Sequence, residues 1–544
     1  MTVKAIDDRT PLLESQAGKP GYVTFPELEL EGIWVRPKGF WWIETALWAN
    51  VFLSGFDSTI TASTYALIAS EFGAANNAAW LTTAYLVTCT AFQPLYGRLS
   101  DALGRRSCFF ACTAVFMAGC LGCALAPSML SLVLMRALTG LGGGGLITMA
   151  TIINSDIIPF RNRGMYQAMQ NVLVGFGAIS GASLGGVIAE GIGWRWCFLL
   201  QVPVSSLALL VGYVALENPI HSLISLAPGQ GFWSGFRYLD ISGASVLVLA
   251  LVVQLVGLSF GGNEFEWSSL PVIGSLALSV VLIALFVVIE ARTKAIPVIP
   301  LRLLCGWQPV AVQLSNLFSG MASYAYLFMI PLYFQAVRGE SPATVGMRLI
   351  VPSLATPIGG VIAGSMMHRG YRLSYNVRMG TSMMLLGNVF ALMMGDCGGR
   401  WRDVLFLVPA NLGLGLTNPS LLFSFICLFE HKEQAVATST VYLIRSMGTI
   451  YGVTLTSAVV QNTLLSRLPA ALGPIEGLDE IVEKLRHSVF ALSDLPPELQ
   501  AAARAVYGDA LRVAFFASSS FALLAFVFSW AVKSGSLRRK KCAS

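Results

Sequence analysis

Three ionisable side chains lie inside long apolar stretches, where a charge is costly and therefore indicates a function. Asp57 lies in FDSTIT, Arg136 in LMRALTG and Arg445 in YLIRSMG. A carboxylate in such a place can take up and release a proton, because desolvation favours its neutral form while a nearby cation favours its charged form. We predict that Asp57 and Arg136 form a buried proton-coupling or substrate-linked pair. A static structural role is the alternative for this pair, and it stays open for Arg445 as well.

A second group of residues forms a charged corner at the end of an apolar stretch. The string GRLSDALGRR runs from Gly97 to Arg106. Its glycines, Gly97 and Gly104, permit close helix approach and a sharp turn. Asp101 can pair or cap, and Arg105 and Arg106 carry the charge that is typical of a cytosolic loop. We predict that this corner is a cytosolic gating loop, which Asp156 joins from beyond a later span.

Small residues recur every four positions in another apolar stretch, at Gly177, Gly181 and Gly185, with Gly186 beside them. This spacing places the first three on one helical face and permits close packing of helices. Further polar side chains within apolar stretches are candidates for a central substrate cavity. They are Gln93, Gln170, Asn171, Asn316, Tyr324, Asn411, Asn418, Tyr442 and Arg445.

The elements that must position these residues are membrane-spanning helices. The chain has 544 residues, of which 55% are hydrophobic and 12% are charged; a soluble protein carries about twice that charged fraction. Stretches long enough to cross a hydrocarbon core of about 30 Å occur at 41–68, 79–98, 107–126, 129–154, 164–189, 195–216, 239–260, 270–291, 308–336, 342–366, 374–395, 403–429, 434–462 and 511–532. The sequence therefore predicts an all-α polytopic membrane protein with about 14 transmembrane helices.

An internal repeat divides the chain into two halves. The segment Gly364–Arg372, GSMMHRGYR, is similar to the Gly97–Arg106 corner, and such repeats are typical of transporters. We infer a six-helix bundle at 41–216, a linker with two extra transmembrane helices at 217–306, and a second six-helix bundle at 307–532. The second bundle includes a lumenal loop at 463–510, for which a passive role and a gating role are both open. Residues 1–40 and 533–544 are predicted to be tails.

The distribution of basic residues predicts the orientation of the chain. Lysines and arginines concentrate in alternate loops and in the C-terminal tail, so both termini are expected in the cytosol. Asp8, Leu12 and Leu13 fit the acidic dileucine pattern that adaptor proteins read when they sort cargo to vacuoles or lysosomes. We therefore expect a multi-pass protein of the vacuolar membrane with a sorting adaptor as partner; the plasma membrane is the alternative.

Motifs for other chemistry match only incidentally. Cys120 and Cys123 form a C-x-x-C inside an apolar stretch without a second pair, which favours packing over a metal or redox site. The string GASLG at 181–185 matches a hydrolase nucleophile motif but lies within a helix and has no histidine partner. No metalloprotease or phosphate-loop motif occurs, and the net charge of +6 reflects loops. We expect a monomer without enzymatic activity, cofactor, metal or nucleic-acid partner.

Several strings resemble the fourteen-span drug:H⁺ antiporter branch of the major facilitator superfamily. They are the Gly97–Arg106 corner, Arg136 with Gly140, Asp57-x-Thr59, GWRWCF from Gly193 and PLYFQ from Pro331. The strings FDSTITAS, WLTTAYL, FQPLYG and RGMYQ are most similar to fungal vacuolar basic amino acid transporters. The resemblance implies the major facilitator fold and proton-driven movement of lysine, arginine or histidine into the vacuole. The Gly177–Gly186 region resembles the antiporter motif, with Ala182 in place of the usual proline.

We therefore expect a proton-coupled transporter whose two bundles rock about a central cavity to give alternating access. Asp57→Asn is expected to abolish proton coupling and to leave folding largely intact. The first alternative is a multidrug/H⁺ antiporter that exports small organic compounds. The second is a nutrient-sensing receptor that transports little.

Overall fold

The computed structural model describes residues 39–72, 80–216, 240–261, 265–293, 295–394, 400–430, 433–473, 478–487, 492 and 495–533. The predicted sorting residues Asp8, Leu12 and Leu13 lie outside the described residues. The helices are α1 Phe40–Glu71, α2 Trp80–Leu103, α3 Arg105–Ala124, α4 Met129–Ile157, α5 Phe160–Gly191, α6 Arg195–Leu199, α7 Gln201–Ala215, α8 Ile241–Phe260, α9 Leu270–Arg292, α10 Trp307–Ala336, α11 Pro342–His368, α12 Leu373–Leu392, α13 Arg400–Ile426, α14 Gln434–Leu472, α15 Leu478–His487 and α16 Pro497–Ala531.

Hydropathy explains most of these helices. Among the described residues, 11 helical segments are long and apolar enough to cross a membrane, and α6 with α7 counts as one of them. Helices α1, α2 and α12 occupy three further predicted spans but carry more polar residues. The prediction of an all-α membrane protein is confirmed, whereas the count of fourteen spans stays a prediction.

The helices form two halves that are joined in a symmetric way. In the N-terminal half, α1 packs on α5, and α4 packs on α2 and α3. In the C-terminal half, α10 packs on α14 and α16, and α13 packs on α11 and α12. Between the halves, α2 packs on α14 and α5 packs on α11. The second span of each half thus contacts the fifth span of the other, which is the relation that an internal repeat predicts.

The two halves meet closely at one end of the bundle, which we call the basic end because it carries Arg98, Arg105, Arg106, Arg163 and Arg302. A Cβ atom added to Gly97 would lie 2.8 Å from the Ala435 carbonyl oxygen on α14. In the same way, a Cβ atom added to Gly364 on α11 would lie 2.8 Å from the Gly164 carbonyl oxygen on α5. Glycine permits both contacts because it has no side chain to separate the helices.

The corners after these two glycines each contain a glycine with nearly the same positive φ. Gly104 has φ 89° and Gly370 has φ 87°, values that favour glycine over residues with a Cβ atom. His368, which takes the place of Asp101 in the repeat, lies 3.1 Å from Asn162 Oδ1 on α5. The structure therefore supports the similarity between the two corners that the sequence indicated.

Helix α5 is less covered away from the basic end. Ala182, Ser183 and Leu184 on α5 are exposed in succession. Consecutive helical residues point about 100° apart, so only a narrow face of α5 is covered here. That face contains the buried Gly181 and Gly185. Helix α5 thus contacts the C-terminal half near the basic end and is largely uncovered beyond it.

Helices α8 and α9 pack on each other, and α8 also packs on α2 and α14. A hydrophobic cluster joins the four elements through Ala91, Leu247, Phe286, Ile299 and Leu443. The two extra helices therefore cover the contact between α2 and α14 on its outer side.

At the opposite end, much of segment 463–510 is helical. Helix α14 has 39 residues and α16 has 35, so their lengths of about 58 and 52 Å exceed a hydrocarbon core of about 30 Å. Leu464, Leu468 and Leu472 pack with Leu485 of α15 and Tyr507 of α16 in one hydrophobic cluster. Helix α15 and the first part of α16 lie within this segment.

Replacing Gly97 by valine should push α2 away from α14, because the added Cβ atom would overlap the Ala435 carbonyl and the Ser439 hydroxyl. We expect a loss of about 1–3 kcal/mol, the usual cost of overpacking. The measurement is thermal unfolding of the purified protein in detergent. Gly186→Val is the matched control, because a Cβ atom at Gly186 has nothing within 4 Å. Equal unfolding temperatures for the two variants would contradict the close contact.

Candidate functional site

Asp57 and Arg136 form an ion pair inside the N-terminal half. Arg136 Nη1 donates to Asp57 Oδ1 at 2.8 Å and to Oδ2 at 2.9 Å, and both side chains are 0% exposed. The spans predicted at 41–68 and 129–154 run in opposite directions, and each residue lies about one third of the way in from the same end. This equal depth predicts the contact. The structure therefore brings the predicted pair together.

Groups from several helices fix the pair in place. Gln201, at the start of α7, donates from Nε2 to Asp57 Oδ1 at 3.3 Å. Arg136 Nε donates to the Leu81 carbonyl on α2 at 3.2 Å, and the Arg136 guanidinium lies 4.6 Å from the ring centroid of Tyr85. Sequence reasoning missed Gln201, although an amide within an apolar stretch is the signal that could have found it.

The pair is enclosed by its own half of the protein. Its hydrogen-bond partners lie on α1, α2, α4 and α7, which are all N-terminal helices. In this conformation the carboxylate has no direct access to solvent. Solvent can therefore reach Asp57 only if the groups that surround the pair move.

Glu44 is a second buried carboxylate in α1, and sequence reasoning missed it. Its side chain is 0% exposed. Asn154 Nδ2 donates to Oε2 at a long 3.5 Å, and Oε1 has no hydrogen-bond partner. Unlike Asp57, Glu44 is without a cation among the described residues, so its charged form would be uncompensated.

The glycine motif of α5 packs against the helix that carries Asp57. Cβ atoms added to Gly177 and Gly181 would lie 2.3 Å from the Phe52 and Phe56 carbonyl oxygens of α1. Gly185 is buried, whereas Gly186 has no neighbour in reach of a Cβ atom. The motif thus joins α1 to α5, and Gly186 does not take part.

The predicted gating residues form an ion network at the basic end. Arg105 Nη1 donates to Asp101 Oδ1 and Arg105 Nε to Asp156 Oδ2, both at 2.7 Å. Arg106 Nη2 donates to the Tyr213 carbonyl at 3.0 Å. The network connects α2, α3 and α4 within one half. Gly97 supplies the contact with the other half.

A polar layer lies between the basic end and mid-depth, where α4 and α5 approach α14. The Thr151 and Tyr442 hydroxyls are 2.9 Å apart, and Thr151 donates to Gln170 Oε1 at 3.1 Å. Gln167 donates from Nε2 to the Tyr442 hydroxyl at 3.4 Å. Thr151 and Gln167 were not predicted, yet they join the two halves.

Arg445 lies in the same layer with several predicted cavity residues. Its Nε donates to Asn316 Oδ1 at 3.2 Å, and Nη2 donates to the Asn418 carbonyl at 3.0 Å. Tyr324 is 44% exposed and lies eight residues beyond Asn316 on α10, about 12 Å farther from the basic end. One position after Arg445 on α14, Ser446 donates to Gln93 Oε1 at 2.9 Å. Five of the predicted residues therefore share one layer with Arg445: Gln93, Gln170, Asn316, Asn418 and Tyr442.

Two other predicted cavity residues, Asn411 and Asn171, also lie outside this layer. Asn411 accepts from Thr356 Oγ1 at 3.3 Å and donates to the Leu407 carbonyl at 3.0 Å, so it joins α11 to α13. Asn171 lies beside Gly360, where α5 contacts α11; a Cβ atom added to Gly360 would be 3.8 Å from Asn171 Nδ2. Neither residue forms a hydrogen bond to the Arg445 group.

The string GWRWCF has a structural explanation at the end opposite the basic end. Trp194 donates from its indole nitrogen to Glu71 Oε2, and Arg195 Nη1 donates to Glu71 Oε1 at 2.6 Å. These hydrogen bonds lower the pKa of Glu71, which lies just beyond the predicted span 41–68. The motif therefore fastens the end of α1 to the start of α6.

Asp57→Asn should destabilise the protein, because it leaves the guanidinium of Arg136 buried without its counter-charge. Breaking a buried pair costs about 3–5 kcal/mol, which changes the sequence-based expectation of largely intact folding. The measurement is the unfolding temperature in detergent. Asp57→Asn/Arg136→Gln should recover part of the loss. Glu71→Gln is the control, since its partner Arg195 is 41% exposed and such pairs contribute about 0–1 kcal/mol.

Glu44→Gln should have little effect on stability, because the amide preserves the shape of a carboxyl group that no cation compensates. We expect a change within about 1 kcal/mol, in contrast to the cost of breaking a buried ion pair. The same unfolding measurement compares Glu44→Gln with Asp57→Asn. A loss as large as that of Asp57→Asn would show that Glu44 is held as an ion.

Comparison with known proteins agrees with this geometry. A family model described as Major Facilitator Superfamily matches residues 47–453. Vacuolar basic amino acid transporter 2 of Saccharomyces cerevisiae is 44% identical over 417 residues, covering 76% of this chain and 87% of that protein. Multidrug resistance protein fnx1 of Schizosaccharomyces pombe is 34% identical over 496 residues, covering 90% and 91%.

A solved structure provides a comparison of the fold. The human organic anion transporter MFSD10 is similar with a TM-score of 0.58 at 13% identity, over 91% of this chain and 100% of that chain. The similarity covers most of this chain and the whole of that chain. Together with the family match over residues 47–453, it confirms the resemblance found in the sequence: the chain belongs to the Major Facilitator Superfamily.

Proposed function

We propose that the chain is a proton-coupled, alternating-access transporter that moves basic amino acids into the vacuole in exchange for H⁺. The substrate class rests on the similarity to Vacuolar basic amino acid transporter 2. Proton coupling rests on one observation, the fully buried ion pair of Asp57 and Arg136. We assign the proton to Asp57 and the counter-charge to Arg136.

Protonation of Asp57 would weaken the contact between α1 and α4, because it removes the charge that Arg136 binds. Helix α1 is joined to α5 through Gly177 and Gly181. Helix α5 in turn contacts α11 of the other half near Gly364. A change at Asp57 can therefore reach the contact between the halves through a continuous set of packed helices.

The predicted orientation indicates toward which side of the membrane the described conformation is closed. If the basic end is cytosolic, Gly97 and Gly364 close the protein toward the cytosol. The Asp101–Arg105–Asp156 network would hold α2, α3 and α4 together during that closure. Substrate in the polar layer would then leave toward the lumen, and a lumenal proton would bind as it leaves.

We place the protein in the vacuolar membrane as a multi-pass protein with both termini in the cytosol. The name of the similar yeast transporter supports this location. The pattern formed by Asp8, Leu12 and Leu13 would supply the sorting signal that an adaptor reads. We also propose the boundaries predicted from the sequence: a first bundle at 41–216, a linker at 217–306 and a second bundle at 307–532.

A multidrug/H⁺ antiporter is the second candidate, and the similarity to Multidrug resistance protein fnx1 favours it. The partly exposed ring of Tyr324 offers an aromatic surface to organic compounds. This candidate shares the proton site and differs in the substrate. Uptake measurements with amino acids therefore separate the two candidates, and a receptor would show binding without uptake.

The test is uptake of labelled lysine, arginine and histidine by vacuolar vesicles in which ATP generates the pH gradient. We expect uptake by the wild-type protein that stops when a proton ionophore is added. Asp57→Asn should lose this uptake, because it cannot change its charge. It should keep exchange of labelled for unlabelled substrate, which needs no net proton movement.

Uptake is normalised to folded protein, because the same substitution is expected to reduce stability. Glu71→Gln serves as the matched control for a carboxylate at the end of the same helix. Full proton-driven uptake by Asp57→Asn would contradict the role of Asp57. Absence of amino acid uptake in vesicles that contain folded wild-type protein would favour the multidrug candidate.

A further inference from the structure

Arg445 is a cation near mid-depth whose partners are neutral. Because α14 begins at Gln434, Arg445 lies about 16 Å along the helix from the basic end. Its hydrogen bonds go to the Asn316 amide oxygen and to the Asn418 carbonyl. The Tyr442 ring centroid lies 5.5 Å from its Cζ atom. Within the described part of the chain, Arg445 has no carboxylate partner.

The environment of Arg445 differs from that of Arg136 in how the charge is compensated. Arg136 is 0% exposed and binds both oxygens of Asp57, so its charge is compensated within the protein. Arg445 is only partly buried and has no such compensation. A guanidinium stays charged under physiological conditions, and charges at this depth usually face a cavity where they meet a ligand or counter-ion.

The guanidinium of Arg445 retains unused donors. A guanidinium carries five N–H groups in a planar fork, and the two hydrogen bonds to Asn316 and Asn418 occupy one group on Nε and one on Nη2. The fork matches the two oxygens of a carboxylate. Asn316 on α10 and Asn418 on α13 hold the group in a fixed orientation.

The position of Arg445 connects a bound ligand to both halves. One turn before it, Tyr442 contacts Thr151 of α4. One position after it, Ser446 donates to Gln93 of α2. A ligand held by Arg445 would therefore lie beside the contacts that must change when the halves rock.

We propose that Arg445 binds the α-carboxylate of the transported amino acid, an inference that rests on the proposed function. The carboxylate supplies the counter-charge that the protein lacks at this position. The cationic side chain of the substrate would then point away from Arg445 because like charges repel. The site would accept amino acids and discriminate against amines that have the same side chain without a carboxylate.

Arginine and agmatine provide the test, because agmatine is arginine without the carboxylate. In vesicles containing the full-length protein, each compound competes with labelled arginine. We expect agmatine to inhibit about 10- to 100-fold more weakly than arginine, the effect of losing hydrogen bonds to a charged group. Equal inhibition by the two compounds would overturn the proposal without any variant.

Arg445→Gln should reduce the preference for arginine over agmatine to within about 3-fold, since a neutral amide replaces the charged fork. Arg445→Lys should give an intermediate preference, because it keeps the charge and loses the planar fork. Arg378→Gln is the matched control. Arg378 is a partly buried arginine of the same half that lies over the Trp530 ring at 4.6 Å, and its replacement should leave the preference unchanged.

The outcomes separate this inference from the proposed function. Amino acid uptake that keeps the full preference for arginine in folded Arg445→Gln would overturn the role of Arg445 alone. Absence of amino acid uptake by folded wild-type protein would overturn both. If Arg445→Gln does not fold, Arg445→Lys and the wild-type comparison decide the result.

Discussion

The cost of placing a charge in a hydrocarbon layer constrains this structure more than any other effect. The chain meets that cost in three ways. Arg136 is neutralised by Asp57 inside the N-terminal half, and Glu44 is buried beside an amide and has no cation partner in the described ranges. Arg445 faces the polar layer with neutral partners only. For Asp57 we propose a charge that responds to protons, and for Arg445 a cation that can receive an anion; Glu44 is a buried carboxyl group that no cation compensates.

Close helix contacts link these charges to the movement of the two halves. The α1–α5 contact depends on Gly177 and Gly181, and the α5–α11 contact depends on Gly364. Small residues lower the separation between helix axes and leave few side chains that would resist sliding. The pair in the N-terminal half is therefore connected to the interface by backbone contacts, and a change of one charge can act at a distance.

The sequence predicted depth along the helices better than it predicted neighbours. Hydropathy located the spans because each must match the hydrocarbon core, and depth alone predicted that Asp57 meets Arg136. The same reasoning could not show that Gln201 binds Asp57, since the helical face of a residue and its neighbours depend on tertiary packing. The same limit applies to Asn411, which the sequence placed among the cavity residues and which in the structure joins α11 to α13. The extension of α14 beyond residue 462 was missed because its leucines pack against other helices instead of lipid.

The two extra helices make the two contacts between the halves unequal. Helix α8 packs on α2 and on α14, and therefore touches both halves along one of the contacts. The segment after α9 reinforces this bridge: Arg98 of α2 donates to the Pro297 carbonyl at 2.6 Å, and Arg302 pairs with Glu433 before α14. The contact between α5 and α11 joins its helices directly, through Gly164 and Gly364. Because one contact is bridged on its outer side, opening at the basic end must either carry α8 with one half or begin between α5 and α11.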